Sequence, residues 1–487
     1  RARIVRQFLT ESMALAAAGA AGGWLFAVWS TRVLVDVLST TDNPVQLDLH
    51  PDWRILFFSL TVTVAAGILF GVGPALRATR HGVAPALKER AFQVRGGEER
   101  IGLGRALLGI QVALSVVLLA AAGLFAGTLV RLMRVDMGFH PEGLTVISIA
   151  DSHPPMEAEQ AKRLFGRLMQ RARTIPGVEI ATLIWPTPLT NSGWNDFFTI
   201  PGRPDLSEDQ RLADISSVGT RFTETMQVPL RAGRDFNDGD TAQSEKVALI
   251  SENAARRWFP NGRAVGSEIG LASSKSMVRV VGIVGNYRYF NLRQEVPLTV
   301  YLPYTQNETH GYVAIRTNQP VNATYAAFRA ILREEAHTLP VGTIRTMKQQ
   351  VDESLSTERL TAYLSVFIGA LALLLTSVGL YGILAYSVAR RTGEIGIRMA
   401  LGAQRRSVVW LVVRKALAHT LVGVGAGVVV VLASSRVAKS LLYNVKPNDP
   451  ATIGAAVCAL LVVCAVAALL PARRASRMDP MQALREE

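Results

Sequence analysis

Cysteine is nearly absent from this chain of 487 residues, since only Cys458 and Cys464 are present, six residues apart in one apolar run. Two cysteines at this spacing build neither a disulfide framework nor a metal site, so we expect two small buried hydrophobic side chains. Charged residues are also scarce, at 18% against 49% hydrophobic residues, and the mean hydropathy is +0.24. This composition excludes a disordered chain and argues against an ordinary water-soluble protein.

Acidic residues are fewer than basic ones, 38 against 52, which leaves a net charge of +14. On a soluble protein this excess would suggest nucleic-acid binding. The sequence contains no Gly-x-x-x-x-Gly-Lys-Ser/Thr phosphate loop, no His-Glu-x-x-His pair and no Gly-x-Ser-x-Gly elbow. We therefore expect a chain that is not an enzyme and that binds no ATP, metal or other cofactor itself.

Long apolar runs account for the hydrophobic composition of the chain. A helix needs about 20 apolar residues to cross the hydrocarbon core of a bilayer, and six runs qualify. Glycine pairs at four-residue spacing within some of them permit close helix–helix approach, as in Gly19 and Gly23, Gly123 and Gly127, and Gly423 and Gly427. The predicted transmembrane helices are residues 12–31, 55–76, 106–130, 360–389, 416–435 and 450–472.

Between the third and fourth runs, residues 134–358 have a different character. Strand-like runs at 144–149, 180–184, 277–284 and 311–317 alternate with helical patterns at 158–175 and 323–335, which indicates one folded α+β domain. The first helical pattern places Leu164, Phe165, Leu168 and Ala172 on one face. We interpret its basic face as solvated rather than as an anion site; that face carries Lys162, Arg163, Arg167 and Arg171.

The distribution of charge predicts the topology. Residues 1–11, 77–105, 390–415 and 473–487 hold 21 basic and 8 acidic residues, whereas residues 134–358 hold 24 and 25. By the positive-inside rule the first group faces the cytoplasm. The predicted fold is therefore an α-helical integral membrane protein of the inner membrane, with six crossings, one extracytoplasmic domain and both chain ends cytoplasmic. Nucleic acid is then not an expected partner, because lipid headgroups and topology account for the charge.

An internal repeat divides the chain into two related units. A seven-residue motif at the cytoplasmic end of an apolar run recurs 397 residues later, and similarity at an offset of 404 extends it backwards. The first unit lacks counterparts of the opening span, the insert and the next span of the second unit, so we expect roughly 300 further residues before Arg1 in the whole protein. The motif residues are Pro74, Arg77 and Arg80 in the first copy and Pro471, Arg474 and Arg477 in the second.

One cytoplasmic segment carries a family resemblance. The sequence from Thr392 to Ala403 closely resembles the coupling segment of the MacB/FtsX permease family of ABC transporters, and the insert is similar to that family's extracytoplasmic domain at residues 247–260, 280–285 and 300–304. Two permease units on one chain look like the duplicated, acidobacterial-type subgroup. The residues proposed for coupling are Glu394, Ile395, Gly396, Ile397, Arg398, Met399, Leu401 and Gly402.

The resemblance implies a division into domains. Residues 1–100 would be the C-terminal part of a first FtsX-like permease unit, and 101–133 the opening helix of the second. Residues 134–358 would be a MacB-like periplasmic core domain, and 359–487 the second FtsX-like permease domain.

The resemblance also implies a mechanism. A separate ABC ATPase subunit would bind ATP, dock on the coupling segment and drive movements of the extracytoplasmic domain that export an amphiphile, peptide or antibiotic. A periplasmic adaptor, an outer-membrane channel and membrane lipids are further expected partners. The alternative function is a non-transporting transducer that regulates an extracytoplasmic hydrolase or senses peptides. The alternative reading of the coupling segment is an amphipathic helix on lipid headgroups.

Overall fold

The computed structural model describes residues 2–38, 52–80, 103–149, 157–190, 193–307, 312–336, 341–390, 404–438 and 445–476, together with 339, 401, 442 and 443. The chain divides into two compact units. The helical unit comprises Arg1–Ala122, Ser365–Ser434 and Pro450–Glu487, and the core unit comprises Gly123–Leu364 and Ser435–Asp449.

Within the described ranges the elements follow the alternation that the hydrophobic pattern predicts. The helices are α1 (Ala2–Leu38), α2 (Trp53–Arg80), α3 (Leu103–Met133), α4 (Ala158–Ala172), α5 (Glu208–Arg211), α6 (Phe222–Met226), α7 (Glu252–Trp258), α8 (Val321–Glu335), α9 (Met347–Ser354), α10 (Ser356–Arg390), α11 (Arg405–Ala438) and α12 (Pro450–Ser476). The strands are β1 (Leu144–Ile149), β2 (Val178–Trp185), β3 (Trp194–Thr199), β4 (Leu212–Val218), β5 (Leu230–Gly233), β6 (Val247–Ser251), β7 (Glu268–Leu271), β8 (Ser276–Val284), β9 (Thr299–Pro303), β10 (Tyr312–Thr317) and β11 (Val341–Thr346).

Each predicted span lies inside one long helix, and each helix extends beyond its span at one or both ends. Five of these helices, α1, α3, α10, α11 and α12, carry an apolar stretch long enough to cross a membrane. In α2 the described apolar stretch is shorter and covers Trp53–Ile68. The structure thus supports a multi-pass helical membrane protein, while the sixth crossing stays a prediction.

Close packing in the helical unit depends on two glycines of α11. A Cβ built on Gly423 would lie 2.8 Å from the Gly109 carbonyl oxygen, and one on Gly427 would lie 2.8 Å from that of Ala113. The absence of side chains at these positions lets the backbones of α11 and α3 approach, as the spacing predicts. The same expectation is wrong for the other pairs, because Cβ atoms on Gly19, Gly23 and Gly127 would meet no atom within 4 Å.

Outward faces of the long helices expose apolar side chains, which is typical of surfaces that contact lipid rather than water. Leu375 and Val422, for example, are 53% and 76% exposed. Cys464 is buried but Cys458 is exposed, so the expectation of two buried cysteines is wrong for the latter. Cys458 faces outward because its helix position, six residues from Cys464, turns it away from the packed seam.

The core unit contains one mixed sheet of eleven strands. Its main path runs β11-β1-β10-β2-β4-β3-β7-β8-β6-β9, with β5 paired to β8. The pairs β4–β9 and β6–β8 are parallel. Strand β9 ends the path beside β6 and also pairs with β4, so the end of the path returns to its middle. The α+β character predicted for residues 134–358 agrees with this arrangement.

Helices α4 and α8 cover the β1-β10-β2 part of the sheet and bury the apolar faces predicted for them. Leu164, Phe165, Leu168 and Ala172 all belong to this buried cluster. The helix predicted over 158–175 ends earlier, at Ala172, and the one predicted from 323 begins at Val321. Part of the basic face pairs with α8 rather than only meeting solvent: Arg167 lies 2.8 Å from Glu335 and Arg171 lies 2.6 Å from Glu334.

We expect opposite effects from two alanine substitutions in α11. Gly427→Ala should destabilise the protein by about 1–3 kcal/mol, because the new Cβ would overpack the contact with Ala113 and Val116. Gly425→Ala is the matched control, since its Cβ would meet no atom within 4 Å and alanine favours a helix by up to about 1 kcal/mol. The measurement is the thermal unfolding midpoint in detergent; equal midpoints for the two variants would contradict the packing described.

Candidate functional site

Most of the predicted coupling segment lies outside the described residues. This holds for Glu394, Ile395, Gly396, Ile397, Arg398, Met399 and Gly402. Leu401 is described, and its side chain is 82% exposed. The exposure is compatible with a side chain that meets a partner, but the coupling role of this segment stays a prediction.

The repeat motif is described in part. Pro74, Arg77 and Arg80 fall in the last turns of α2, and their side chains lie outside the described part, as does Arg477. Pro471 lies inside α12 and is buried. Arg474 donates a hydrogen bond from Nη1 to the hydroxyl oxygen of Tyr381 in α10, at 2.9 Å. The second copy of the motif therefore ties two helices together, a contact that the sequence pattern alone does not indicate.

A different set of residues comes together where the chain passes between the long helices and the core unit. The connection between β8 and β9, residues 285–298, is called the junction loop here. It contacts three chain segments: residues 134–143 after α3, the start of α10, and residues 435–449 between α11 and α12. All of these contacts lie within the core unit.

The segment after α3 is held by two arginines. The backbone N–H of Arg288 in the junction loop donates to the Met137 carbonyl, at 2.9 Å. Arg316 of β10 donates to the carbonyl oxygens of His140 and Glu142 at 3.0 and 2.7 Å. The Arg316 side chain is buried, and burial lowers its pKa below the ordinary arginine value. The path from α3 into β1 is thereby fixed by polar contacts rather than by side-chain packing alone.

The start of α10 is held by an ion pair. Arg293 Nε lies 2.8 Å from Glu358 Oε1, and the two side chains are 37% and 14% exposed. Asn291 accepts hydrogen bonds from the backbone N–H groups of Arg293 and Gln294, which fixes the loop around the arginine. Glu358 lies in the first helical turn, where the helix dipole favours a negative charge. An exposed ion pair contributes about 0–1 kcal/mol to stability, and breaking a buried one costs about 3–5 kcal/mol. We expect the cost of breaking this half-buried pair to lie between these values.

The segment between α11 and α12 is held by Tyr443. Its hydroxyl oxygen accepts a hydrogen bond from Arg288 Nη2 at 3.1 Å, and its ring packs against the buried cluster that contains Tyr287. Arg288 also donates to the carbonyl oxygen of Gln294 within the loop. One arginine thus contacts two of the three segments, through its backbone and its side chain.

A cavity of about 230 Å³ lies beside the ion pair. It is walled by leucines from α3, the junction loop and the α9–α10 corner, and the ion pair forms part of its lining. The lining residues are Leu132, Leu189, Phe290, Asn291, Leu292, Arg293, Ser354, Leu355 and Glu358. The contacts around the ion pair are therefore less densely packed than a typical protein core.

Aromatic rings connect the junction loop to the centre of the sheet. The Phe290 and Tyr289 rings are in edge contact at 4.9 Å between centroids, and Tyr289 and Tyr287 follow at 6.4 Å. Tyr287 then contacts Tyr301 of β9 at 5.9 Å. The Tyr289 hydroxyl donates to the Ile215 carbonyl of β4, at 2.7 Å. A continuous row of ring contacts therefore joins the loop to β4 and β9.

Asp214 of β4 is a buried carboxyl group next to this aromatic row. It is 5% exposed, and its backbone N–H donates to the carbonyl of Leu298 at the end of the junction loop, at 2.8 Å. Burial raises the pKa of Asp214 to about 6. Burial also raises the pKa of Tyr287, which the charge on Asp214 raises further.

Four residues of this site were not predicted from the sequence: Asp214, Arg288, Arg293 and Glu358. The local signal that points to one of them is the position of Glu358 just before the apolar run at 360–389.

The junction loop forms one connected set of contacts with the neighbouring segments. Its charged groups are paired or buried among aromatic rings, and they lie at the ends of elements rather than around a solvent-filled cleft. Within the described ranges, three or more His, Cys, Asp or Glu side chains never cluster as they would to hold a metal ion. These features define a class: a multi-pass membrane protein with a large folded domain inserted between two of its long helices.

Two family models match this chain and specify the class. The model described as MacB-like periplasmic core domain matches residues 106–331, and the model described as FtsX-like permease C-terminal matches residues 366–480. The chain therefore carries a MacB-like periplasmic core domain followed by an FtsX-like permease domain. The second match includes the predicted coupling segment without testing its role.

Curated relatives agree with this assignment. The chain is 28% identical over 306 residues to the macrolide export ATP-binding/permease protein MacB of Marinobacter nauticus, which covers 58% of this chain and 46% of that protein. It is 27% identical over 282 residues to the pyoverdine export ATP-binding/permease protein PvdT of Pseudomonas entomophila, covering 56% and 43%. The chain spans about half the length of the curated relatives it matches.

Solved structures were also found among the similar proteins. The periplasmic region of MacB from Actinobacillus actinomycetemcomitans has a TM-score of 0.31 at 13% identity, covering 45% of this chain and 95% of that one. The extracellular domain of the ABC-type transporter YknZ from Gram-positive bacteria has a TM-score of 0.28 at 13% identity, covering 41% and 100%.

We expect the contribution of Asp214 to the stability of the protein to fall as pH rises from about 4 to 6. The pKa of Asp214 is about 6 when folded and near 3.8 when exposed, so within this window the folded state binds a proton that the unfolded state does not. A difference of about two pKa units corresponds to about 3 kcal/mol. Asp214→Asn should remove this pH dependence and raise the stability at pH 7.5.

The measurement is the unfolding midpoint at pH 4.5 and 7.5 for the wild-type protein and the variant. Asp209→Asn is the control, because it removes the same charge from an exposed position in α5. A wild-type midpoint that changes with pH no differently from that of Asp214→Asn would contradict the prediction.

Proposed function

We propose that this chain is the permease subunit of an ABC-type export system of the inner membrane. A separate ATPase subunit would bind ATP on the cytoplasmic side, and the core unit would move on the outer side in response. The observation that carries this proposal is the convergence of three helix-connected segments on the junction loop. The relatives named for macrolide and pyoverdine export support an amphiphile, peptide or antibiotic as the class of substrate.

The geometry supports a mechanical route. A tilt of α10 would displace Glu358 in its first turn, and the ion pair would pull on Arg293. Asn291 holds the loop backbone around Arg293, so the loop would move as one piece. The rings from Phe290 to Tyr301 would then carry the displacement to β9. No route for substrate through the membrane is required for this coupling.

On the cytoplasmic side we propose that residues 394–402 receive the ATPase subunit. An exposed leucine at 401 is the described part of the apolar ridge that a partner's cleft would take. A periplasmic adaptor and an outer-membrane channel complete the proposed export path. Neither is needed for the coupling steps above.

Reversing one charge of the Arg293–Glu358 pair should uncouple movement from ATP hydrolysis. We expect Arg293→Glu or Glu358→Arg to leave ATP turnover within about twofold while abolishing the ATP-driven movement of the core unit. Combining Arg293→Glu with Glu358→Arg should restore the ATP-driven movement, because the ion pair is then re-formed with its charges exchanged. Movement is measured by electron spin resonance as the distance between labels on Ser274→Cys and Val422→Cys, in a background of Cys458→Ala and Cys464→Ala.

Arg279→Glu is the matched control, since it breaks an exposed 2.6 Å pair with Glu245 in the same unit but away from the junction loop. It should preserve the ATP-driven distance change. A normal distance change in both single-reversal variants would refute the role of the ion pair.

Replacing Glu394 and Arg398 together with alanine should reduce ATP turnover by the reconstituted complex about tenfold or more, because the ATPase subunit would lose its docking contact. Gln404→Ala, at an exposed position just beyond the segment, is the control. The measurement is ATP hydrolysis in nanodiscs with the full-length protein and its ATPase subunit. Unchanged turnover would exclude this segment as the coupling site.

A further inference from the structure

The two glycines of α11 that contact α3 have counterparts in α1. The internal repeat relates α1 to α11 at an offset of 404 residues, which matches Gly19 to Gly423 and Gly23 to Gly427. In α11 both glycines are buried, and a Cβ on either would lie 2.8 Å from a backbone carbonyl oxygen of α3. In α1 both glycines are exposed, and within the described part of the chain a Cβ on either would meet no atom within 4 Å.

The helix that follows each glycine pair is packed through matched positions in both units. The repeat relates α2 to α12 at an offset of 397, which matches Gly67 to Cys464. Gly67 is buried, and a Cβ there would lie 3.6 Å from the Cβ of Ala16 in α1. Cys464 is also buried and contacts the side chain of Thr420, which the offset of 404 matches to Ala16. The contact between α1 and α2 is therefore equivalent to the contact between α11 and α12, and this equivalence is independent of the glycines.

The surroundings of α1 and α11 differ on the glycine side. In the apolar stretch of α1, Leu9–Val33, the share of buried residues is 0%, against 35% in the stretch Val409–Ser435 of α11. Membrane helices associate where small residues allow their backbones to approach closely. The glycine pair of α1 thus keeps the positions of a helix–helix seam while the equivalent of α3 is missing from it.

The filled seam in the second unit shows which kind of helix fits. The Cβ atoms of Val112 and Val116 in α3 lie 2.8 Å from the Cβ positions built on Gly423 and Gly427, so two valines four residues apart fill the space above the glycines. The contacts advance in the same direction along both helices, which makes α3 and α11 parallel. A second copy of α1 does not fit this description, because α1 has no Val, Ile or Thr at 11–27, the residues around its glycine pair.

We propose that the face of α1 that contains Gly19 and Gly23 receives a transmembrane helix equivalent to α3, the opening helix of the first permease unit in the whole protein. This helix would run parallel to α1 and place two β-branched side chains, four residues apart, over the glycines. The proposal rests on the internal repeat and on contacts within the helical unit. It does not depend on the proposed export function.

Photocrosslinking of the full-length protein in native membranes tests the proposal. Leu15 is 70% exposed and lies one turn before Gly19 on the same face of α1. We expect p-benzoylphenylalanine at position 15 to form a crosslink to a peptide from the apolar run that opens the first unit. The same photocrosslinker at position 422, where Val422 is 76% exposed on α11, is the control and should capture no peptide.

Every other product from position 15 would overturn the proposal. A dimer crosslinked through α1 would assign the glycine face to a second copy of the chain. A crosslink to the ATPase subunit, or to any peptide from residues 1–487, would assign it to another neighbour. A photocrosslinker at position 15 that captures lipid and no peptide would show that the seam is open in the whole protein.

Filling the glycine seam with side chains should also destabilise the full-length protein. We expect Gly19→Val with Gly23→Val to lower its thermal unfolding midpoint in detergent by about 5 °C or more, because the valines would overpack the contact with the incoming helix. Ala17→Val with Ala21→Val is the matched control, since both alanines are exposed on the opposite side of α1. Equal midpoints for the two double variants would contradict the proposal.

Discussion

Polar contacts to one loop hold the three chain segments of the core unit that lead to the long helices. Arg288 binds the segment after α3 and the segment before α12, while Arg293 binds the first turn of α10. These contacts are directional and short, so a shift of one helix changes their geometry at once. An interface made only of apolar contacts would let the segments slide. The junction loop is therefore the place within the core unit where these three segments are held together.

The helical unit and the core unit pack through different kinds of contact. Lipid chains are as apolar as leucine, so helices in a bilayer gain little from burying large side chains and associate through close backbone approach and buried polar bonds. Gly423 and Gly427 against α3, and the 2.7 Å contact between Ser115 and Thr376, fit that description. The buried clusters of the core unit are built instead from large side chains, mainly leucine, isoleucine and valine together with several aromatic rings.

Much of the fold follows from the sequence because its signals are local. Apolar runs define the long helices, and alternating or β-branched runs define strands such as Leu144–Ile149, whose predicted bounds are those of the structure. Side-chain environment is less local: the same four-residue glycine spacing marks a packed seam at Gly423 and Gly427 but open surface at Gly19 and Gly23. Which face of a helix meets a neighbour is decided by the tertiary arrangement, and the spacing alone does not contain it.

The junction could not be predicted, because its contacts join residues that are far apart in the chain. Arg293 and Glu358 are separated by 65 positions, and Arg288 and Tyr443 by 155. The sequence reasoning placed Glu358 at a domain boundary and treated the boundary as an end rather than as a contact. A charged residue that opens an apolar helix must nevertheless be neutralised near the membrane surface, since an unpaired charge there is costly. In a nearly neutral insert flanked by long apolar helices, the acidic residue in the first turn of α10 is therefore the place to look for a basic partner from the folded domain.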